Sequence, residues 1–243
     1  MLSLIKAEIY RLKHLKIFYL GIVLNLFIVI SMLLGRKTLG SINNVSDFVN
    51  IMYRNYSFAL PILCFSTTFA SQEFSQKTIY PIIAKGVSFS KVFISKSIVS
   101  CMGTMLYFII GSAVGIGLSF YVFPDNYAPG LLSSIVKIFL LETLIHIAYT
   151  VFVLTITYVI RSSKMSILTN FTIMIFLPAL LHGIMKTFNP IINLRSLWIV
   201  NVVNLLEIGR NIEWFYYAFV ISIFYIVVCT LISVLVGNKR DIA

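Results

Sequence analysis

Apolar residues run along this chain in long blocks and do not alternate with polar ones. A transmembrane helix needs about 20 predominantly apolar residues to cross the hydrocarbon layer. Six blocks approach that length: 17–35, 55–72, 97–123, 139–160, 165–185 and 215–237. No segment shows a period of two between turn signals, so a barrel of strands is not expected. The pattern predicts an all-α integral membrane protein, one membrane domain over residues 1–243 with six transmembrane helices. Ahead of the first block, Leu2, Ile5, Ile9 and Leu12 share one face of a helix, Lys6 and Lys13 flank it, and Arg11 opposes it. Leu4 and Leu15 fall outside that stripe. This is the pattern of an amphipathic helix lying in the membrane interface. The segment between the fifth and sixth blocks is itself partly apolar (Leu194, Leu197, Trp198, Ile199, Val202, Val203, Leu205, Leu206), which predicts an interfacial or re-entrant piece on the outer side. Trp214, Phe215, Tyr216 and Tyr217 then open the last block as an aromatic girdle.

Composition agrees. Of 243 residues, 59% are hydrophobic and 11% are charged, and the mean hydropathy is +0.97. A soluble domain carries about 25% charged residues, so a soluble enzyme and a disordered regulator are excluded. The first block is longer than the apolar core of a signal peptide and no small-residue cleavage pattern follows, so an uncleaved first span is expected. Cys64, Cys101 and Cys229 all lie within apolar blocks and read as packing residues. The net charge of +11 comes without basic stripes interleaved with aromatics, which points to membrane headgroups and away from nucleic acid. With the N-terminus inside, twelve of the 19 basic residues fall on the inner side, Lys6, Arg11, Lys77, Lys85, Lys91 and Lys96 among them. That bias predicts a multi-pass protein of a bacterial cell membrane with both termini cytoplasmic.

The inner connection between the second and third blocks, Glu73 to Lys96, is the most informative loop. Pro81 suits the first turn of a short helix and Gly86 its end. Ile82 and Ile83 are apolar in a segment that faces water. Ser88 or Ser90 can cap the helix that leads into the third block. Two readings stand on local physics: a helix that offers apolar residues to a partner protein, or a helix lying on the membrane, held by Lys85, Lys91 and Lys96. No G-x-x-x-x-G-K-[ST] stretch occurs, so the chain has no phosphate-cradling loop of that type, and no H-E-x-x-H occurs. Gly103, Gly111, Gly115 and Gly117 are spaced for close helix packing.

The order Glu73, Thr78, Ile82, Ile83, Val87, Ser88 and Lys96 resembles the signature loop of type-2 ABC transporter permeases, with Lys77 standing where that pattern carries Gly and Lys91 near its usual Arg. The amphipathic first helix, six spans and apolar outer segment are similar to that family across the whole chain. The resemblance implies a pore formed by two permease chains, this one and a second copy or paralogue. It implies separate ABC ATPase subunits that hold ATP and Mg, so no cofactor or metal on this chain. It also implies a coupling loop, Glu73, Thr78, Pro81, Ile82, Ile83, Lys85, Gly86, Val87 and Ser88, that docks on the ATPase. The N-terminal helix would be an elbow that also touches the ATPase, or a membrane anchor. The short-looped form resembles exporters of amphipathic peptides such as toxins or antimicrobial peptides, or chains conferring immunity to them. A drug or lipid cargo stands as the alternative, and an intramembrane enzyme or a non-transporting scaffold or sensor are the competing classes.

Within the spans, Glu142 and His146 share one face of the fourth block, and His182 and Lys186 share one face of the fifth, which also carries Pro178. All four charged positions fall near the outer leaflet. They predict either an interhelical Glu142–Lys186 pair lining a pathway or gate, or separate side chains that snorkel to water and headgroups.

Overall fold

The computed structural model describes residues 1–40, 42, 44–54, 58–123, 131–188, 198–202 and 212–240. These residues form helices and no strand. The order is α1 (Leu2–His14), α2 (Lys16–Thr38), α3 (Val45–Arg54), α4 (Ala59–Ser75), α5 (Ile79–Ala84), α6 (Phe89–Val122), α7 (Leu131–Ile160), α8 (Ser163–Phe188), α9 (Ile199–Val202) and α10 (Ile212–Arg240). Among the described residues, five helices are long and apolar enough to cross a membrane: Lys16–Thr38, Phe89–Val122, Leu132–Ile160, Ser163–Ile184 and Glu213–Gly237.

The second predicted span differs from expectation. Residues 55–57 lie outside the described residues, and α4 starts at Ala59 with Pro61 in its first turn, where a missing N–H costs nothing. It has 17 residues, about 26 Å of rise. An unexpected helix, α3, precedes it. Its pattern is amphipathic, and Val45, Phe48, Val49 and Met52 are fully buried.

Leu15, in extended conformation (φ −82°, ψ 106°), separates α1 from α2 and makes an elbow between them. α6 has 34 residues, about 51 Å, and so outreaches the hydrocarbon layer. It begins at Phe89, which shortens the predicted 73–96 loop and moves Lys91 and Lys96 into a helix.

α4 and α7 are the centre of the bundle. Ile62, Leu63, Phe65, Phe69 and Ala70 of α4 are all buried, and 61% of the apolar window of α7 is buried against 6% for α8. Phe18, Phe58, Phe65, Tyr107 and Phe108 interlock between α2, α4 and α6, with ring centroids 5.0–5.5 Å apart. Polar pairs join the helices where lipid offers no partner. Thr104 and Thr150 hydroxyls lie 2.8 Å apart, Tyr107 Oη donates to Phe18 O at 2.7 Å, and Asn170 Nδ2 donates to Thr67 and Thr157, each at 3.2 Å.

One end of the bundle gathers the start of α2, the end of α4, the start of α6, the end of α7, the start of α8 and the end of α10. Ser163 Oγ donates to Ser71 Oγ at 3.0 Å, and Arg161 Nη2 donates to Gly237 O at 3.4 Å. At the opposite end α3 packs on α6, where Gly115 meets Met52 and Phe48. The described part of the apolar outer segment, Trp198 to Val202, is buried within the bundle. Trp198 packs edge-on against Phe152 at 5.2 Å, about 12 Å along α7 from its last residue. Leu194, Leu197, Val203, Leu205 and Leu206 lie outside the described residues.

Candidate functional site: a buried charge cluster beside the loop helix

The loop helix α5 is set by two helix stops. α4 ends with Lys77 N donating to Phe74 O and Thr78 N to Glu73 O, at 3.3 and 3.0 Å. This paired closure requires a left-handed residue between them, and Lys77 takes that conformation with φ 55°. α5 ends the same way: Gly86, at φ 83°, donates to Ile83 O and Val87 N to Ile82 O. Here glycine meets the requirement without steric cost. Ser88 stands at the N-cap of α6 with extended backbone and makes no side-chain cap bond.

The face that α5 presents differs from expectation. Ile79 is buried, and Ile82, Ile83 and Val87 are half-buried against a small second core of Ala70, Phe89, Val92, Phe93, Leu154 and Tyr158. The outward residues are Tyr80, 58% exposed, with Pro81, Ala84 and Lys85. The two isoleucines pack on the chain's own second core, and Tyr80 is the aromatic that points outward.

Behind α5 lies a cluster of charges. Lys96 Nζ, 2.5 Å from Glu8 Oε2 and 3.1 Å from Glu73 Oε1, joins α6 to α1 and α4. Arg11 Nη1 lies 2.9 Å from Glu8 Oε1 and 3.5 Å from Glu73 Oε1. Tyr158 Oη of α7 donates to Glu73 Oε2 at 2.5 Å. The Lys96 ammonium also sits 4.0 Å from the centre of the Phe69 ring. Lys96 and Glu73 are each 1% exposed and Glu8 is 6%. Two acids and two bases leave the cluster electrically balanced, which a buried charge requires. Tyr158 also centres an aromatic group of Phe74, Phe89 and Phe93, at 5.1–5.7 Å. Arg161 stacks 5.1 Å from Phe89, and a side chain at Gly237 would overlap that same ring. The loop helix therefore rests on residues that reach α1, α4, α6, α7 and α10.

Sequence reasoning placed Glu73 in the loop but missed its partners. Glu8 was legible as the lone acid of a basic helix, lying between Ile5, Ile9 and Leu12 on the apolar face. Arg11 does not oppose that face; its guanidinium reaches back to Glu8 and Glu73. Lys96 is not on an exposed loop, because the longer α6 carries it inside. Tyr158 had no sequence signal beyond an aromatic near a span end.

The residues expected in an outer gate are only partly together. Glu142 is 0% exposed and His146 5%. His146 Nδ1 is 2.6 Å from Glu142 O and 3.6 Å from Glu142 Oε2, and its ring packs on Phe108 at 4.9 Å and Phe58 at 5.8 Å. Lys186 forms no ion pair with Glu142. It and His182 are exposed on the peripheral α8, whose helix runs unbroken through half-buried Pro178. The predicted Glu142–Lys186 pairing is thus not formed, because α7 turns Glu142 into the bundle and α8 turns Lys186 out of it.

A family model described as ABC-2 family transporter protein matches residues 4–178, from α1 through most of α8, and so contains the loop helix and the whole charge cluster. The chain belongs to the ABC-2 transporter family. No curated protein matches it. ABC-2 permeases are membrane components of transport systems whose ATPase lies on a separate subunit. The helical bundle with several membrane-length apolar helices accords with a multi-pass cell-membrane protein of this family.

Proposed function

We propose that this ABC-2 chain is the membrane-spanning subunit of an ATP-driven exporter, and that α5 is where the ATPase pushes on it. The observation that carries the reading is the mounting of α5. It presents Tyr80 outward, while its inner face rests on the Phe89–Tyr158 group and its preceding turn begins at Glu73 of the charge cluster. Force applied to a short helix is absorbed if the helix floats on lipid. Seated on residues from several spans, it moves those spans together. The loop from Glu73 to Ser88 is then the docking element, with Tyr80 its anchor and Lys85 at its edge. ATP and Mg are held by the partner.

In this reading α4 is a sixth crossing. Its rise of about 26 Å approaches the thickness of the hydrocarbon layer, and neighbouring helices cover it on nearly every side. Both chain ends then lie in the cytoplasm, as the distribution of Lys and Arg favours. Two such chains, identical or paralogous, complete the pathway. The largely apolar spans suit a hydrophobic or amphipathic cargo, a toxin or antimicrobial peptide exported for secretion or immunity, with a drug or lipid as the alternative. Co-expression with a cognate ABC ATPase tests the reading: the two should co-purify through α5. Failure of every ABC ATPase from the host cell to bind would reject it.

A further inference from the structure

Two cavities lie end to end along one seam of the molecule. The first, of about 290 Å³, is polar: Tyr10, Arg11 and His14 of α1 face Gln72 and Gln76 of α4, with Thr78 beside them. The second, of about 260 Å³, is almost wholly apolar: Ile17, Leu20 and Leu24 of α2 face Phe65 of α4 and Ile167 and Phe171 of α8. One stripe of α4 floors both. Pro61, Phe65 and Thr68 line the apolar part, Gln72 and Gln76 the polar part. Those positions recur every three or four residues and so share a helix face. The change from apolar to polar takes about one turn, between Thr68 and Gln72, about 6 Å. On the other wall it falls at the same level, between Ile17 and Leu15. The seam therefore has a polar head and an apolar tail, and the head lies at the ends of α2 and α4, the depth of the lipid headgroups.

The charges select the head. Glu73 is the only acid among the described residues lining the polar cavity, and Lys96, Arg11 and Tyr158 already engage it. Arg11, 39% exposed at its side chain, has further donors to offer. The lysines flanking the lining residues in the chain, Lys13, Lys16 and Lys77, are exposed and form no ion pair among the described residues. Thr78 Oγ1 is buried without a hydrogen-bond partner. The chain bordering the polar cavity thus carries uncompensated positive charge, and the cavity itself is lined by hydrogen-bonding groups that suit phosphate and hydroxyl oxygens.

We propose that this seam binds one anionic phospholipid, its phosphate in the polar cavity beside Arg11 and one acyl chain along α2, α4 and α8. The lipid wedges the elbow between α1 and α2 against α4, next to the charge cluster. Binding is a property of this chain alone and does not rest on the docking role of α5.

The test uses the full chain reconstituted in vesicles of equal parts phosphatidylglycerol and phosphatidylethanolamine, released into mild detergent and weighed by native mass spectrometry. The expected result is one retained phosphatidylglycerol, favoured at least fivefold over phosphatidylethanolamine. Lys13→Gln with Lys16→Gln and Lys77→Gln, all at exposed positions, should bring the preference within twofold of unity. Thr68→Phe, which fills the apolar cleft, should cut total retention at least threefold; Leu24→Trp serves the same end if Thr68→Phe does not fold. Retention of both lipids at the vesicle ratio overturns the proposal. So does undiminished phosphatidylglycerol in folded cleft-filled chains, since general attraction of lipid to surface lysines would give that result. If adding the ATPase with ATP releases the lipid, it is a cargo in passage and the resident site is wrong; retention through turnover supports it.

Discussion

Replacing Lys96 by Met removes the one ammonium that both buried carboxylates share. Lys96 is 1% exposed and lies 2.5 Å from Glu8 and 3.1 Å from Glu73. Breaking a buried ion pair by deleting one partner costs about 3–5 kcal/mol, because the remaining charge keeps its desolvation penalty. Arg11 offsets little of this, since its side chain is 39% exposed and solvent screens it; such a charge contributes about 0–1 kcal/mol. For a chain of this size each kcal/mol moves the unfolding midpoint by about 2–4 °C. Lys96→Met should therefore lower it by roughly 6–20 °C, and Arg11→Gln by no more than about 4 °C. Adding Glu8→Gln to Lys96→Met removes one stranded carboxylate and should recover at least half of the loss. The assay is thermal unfolding in detergent followed by a thiol-reactive dye. Cys64 and Cys101 are half-buried, Cys229 is buried, and all three are free, so unfolding exposes them together. A shift under 2 °C for Lys96→Met, or a double variant as unstable as the sum of its parts, would refute the cluster's role as a structural lock.

Three further outcomes follow from single positions. Lys77→Gly relieves a left-handed residue that costs a side-chain-bearing amino acid about 1–2 kcal/mol, and should raise the same midpoint by a few degrees; an unchanged or lower midpoint contradicts the Lys77 geometry. Gly111→Ala drives a methyl into the Asn25 amide and within 2.6 Å of Phe58, whereas Gly117→Ala meets nothing within 4 Å. The first should lose about 1–3 kcal/mol and the second none, and equal effects in the dye assay would disprove this packing. A double-variant cycle of Glu142→Gln and Lys186→Gln should be additive within about 0.5 kcal/mol, because the two side chains do not meet; a larger coupling in thermal unfolding would restore the pairing that the helix positions argue against.

The long apolar blocks made the helical membrane fold legible, because apolar length alone decides it. Of the two helix stops around α5, the one at Gly86 was equally legible, since glycine takes a left-handed conformation freely; the one at Lys77 was not, since a side-chain-bearing residue rarely does. What the blocks hid was depth. Lys96 ends a polar-looking loop in sequence, yet α6 starts at Phe89 and carries it into the protein. Nothing local signals where a long helix begins when Ser, Lys and Phe all suit its first turns. The glycines show a related limit: spacing grouped Gly117 with Gly103, Gly111 and Gly115, but Gly117 faces open space. The charge cluster was unreadable for another reason. Its members lie far apart along the chain, Glu8 and Lys96 being 88 residues apart, and only the meeting of α1, α4, α6 and α7 brings them together. The loop's resemblance to ABC-2 permeases, together with the pattern of spans, pointed to the family, and the stretch matched by the family contains that loop.

The most direct test of α5 as the ATPase dock is co-purification of a cognate ABC ATPase with the chain carrying Tyr80→Asp, at constant membrane expression. Tyr80 is 58% exposed, so the change leaves the fold intact while placing a charge in the contact. Burying such a side chain stabilises a complex by about 1.5–3 kcal/mol, so Tyr80→Asp should weaken binding by at least tenfold and lower ATP hydrolysis by the complex in proportion. Ile82→Ala, inside the chain's own second core, should reduce folding stability more than docking. Full retention of the ATPase by Tyr80→Asp, with loss only when Lys85 and Lys91 are replaced, would mean that α5 lies on the membrane and that the ATPase engages the permease elsewhere.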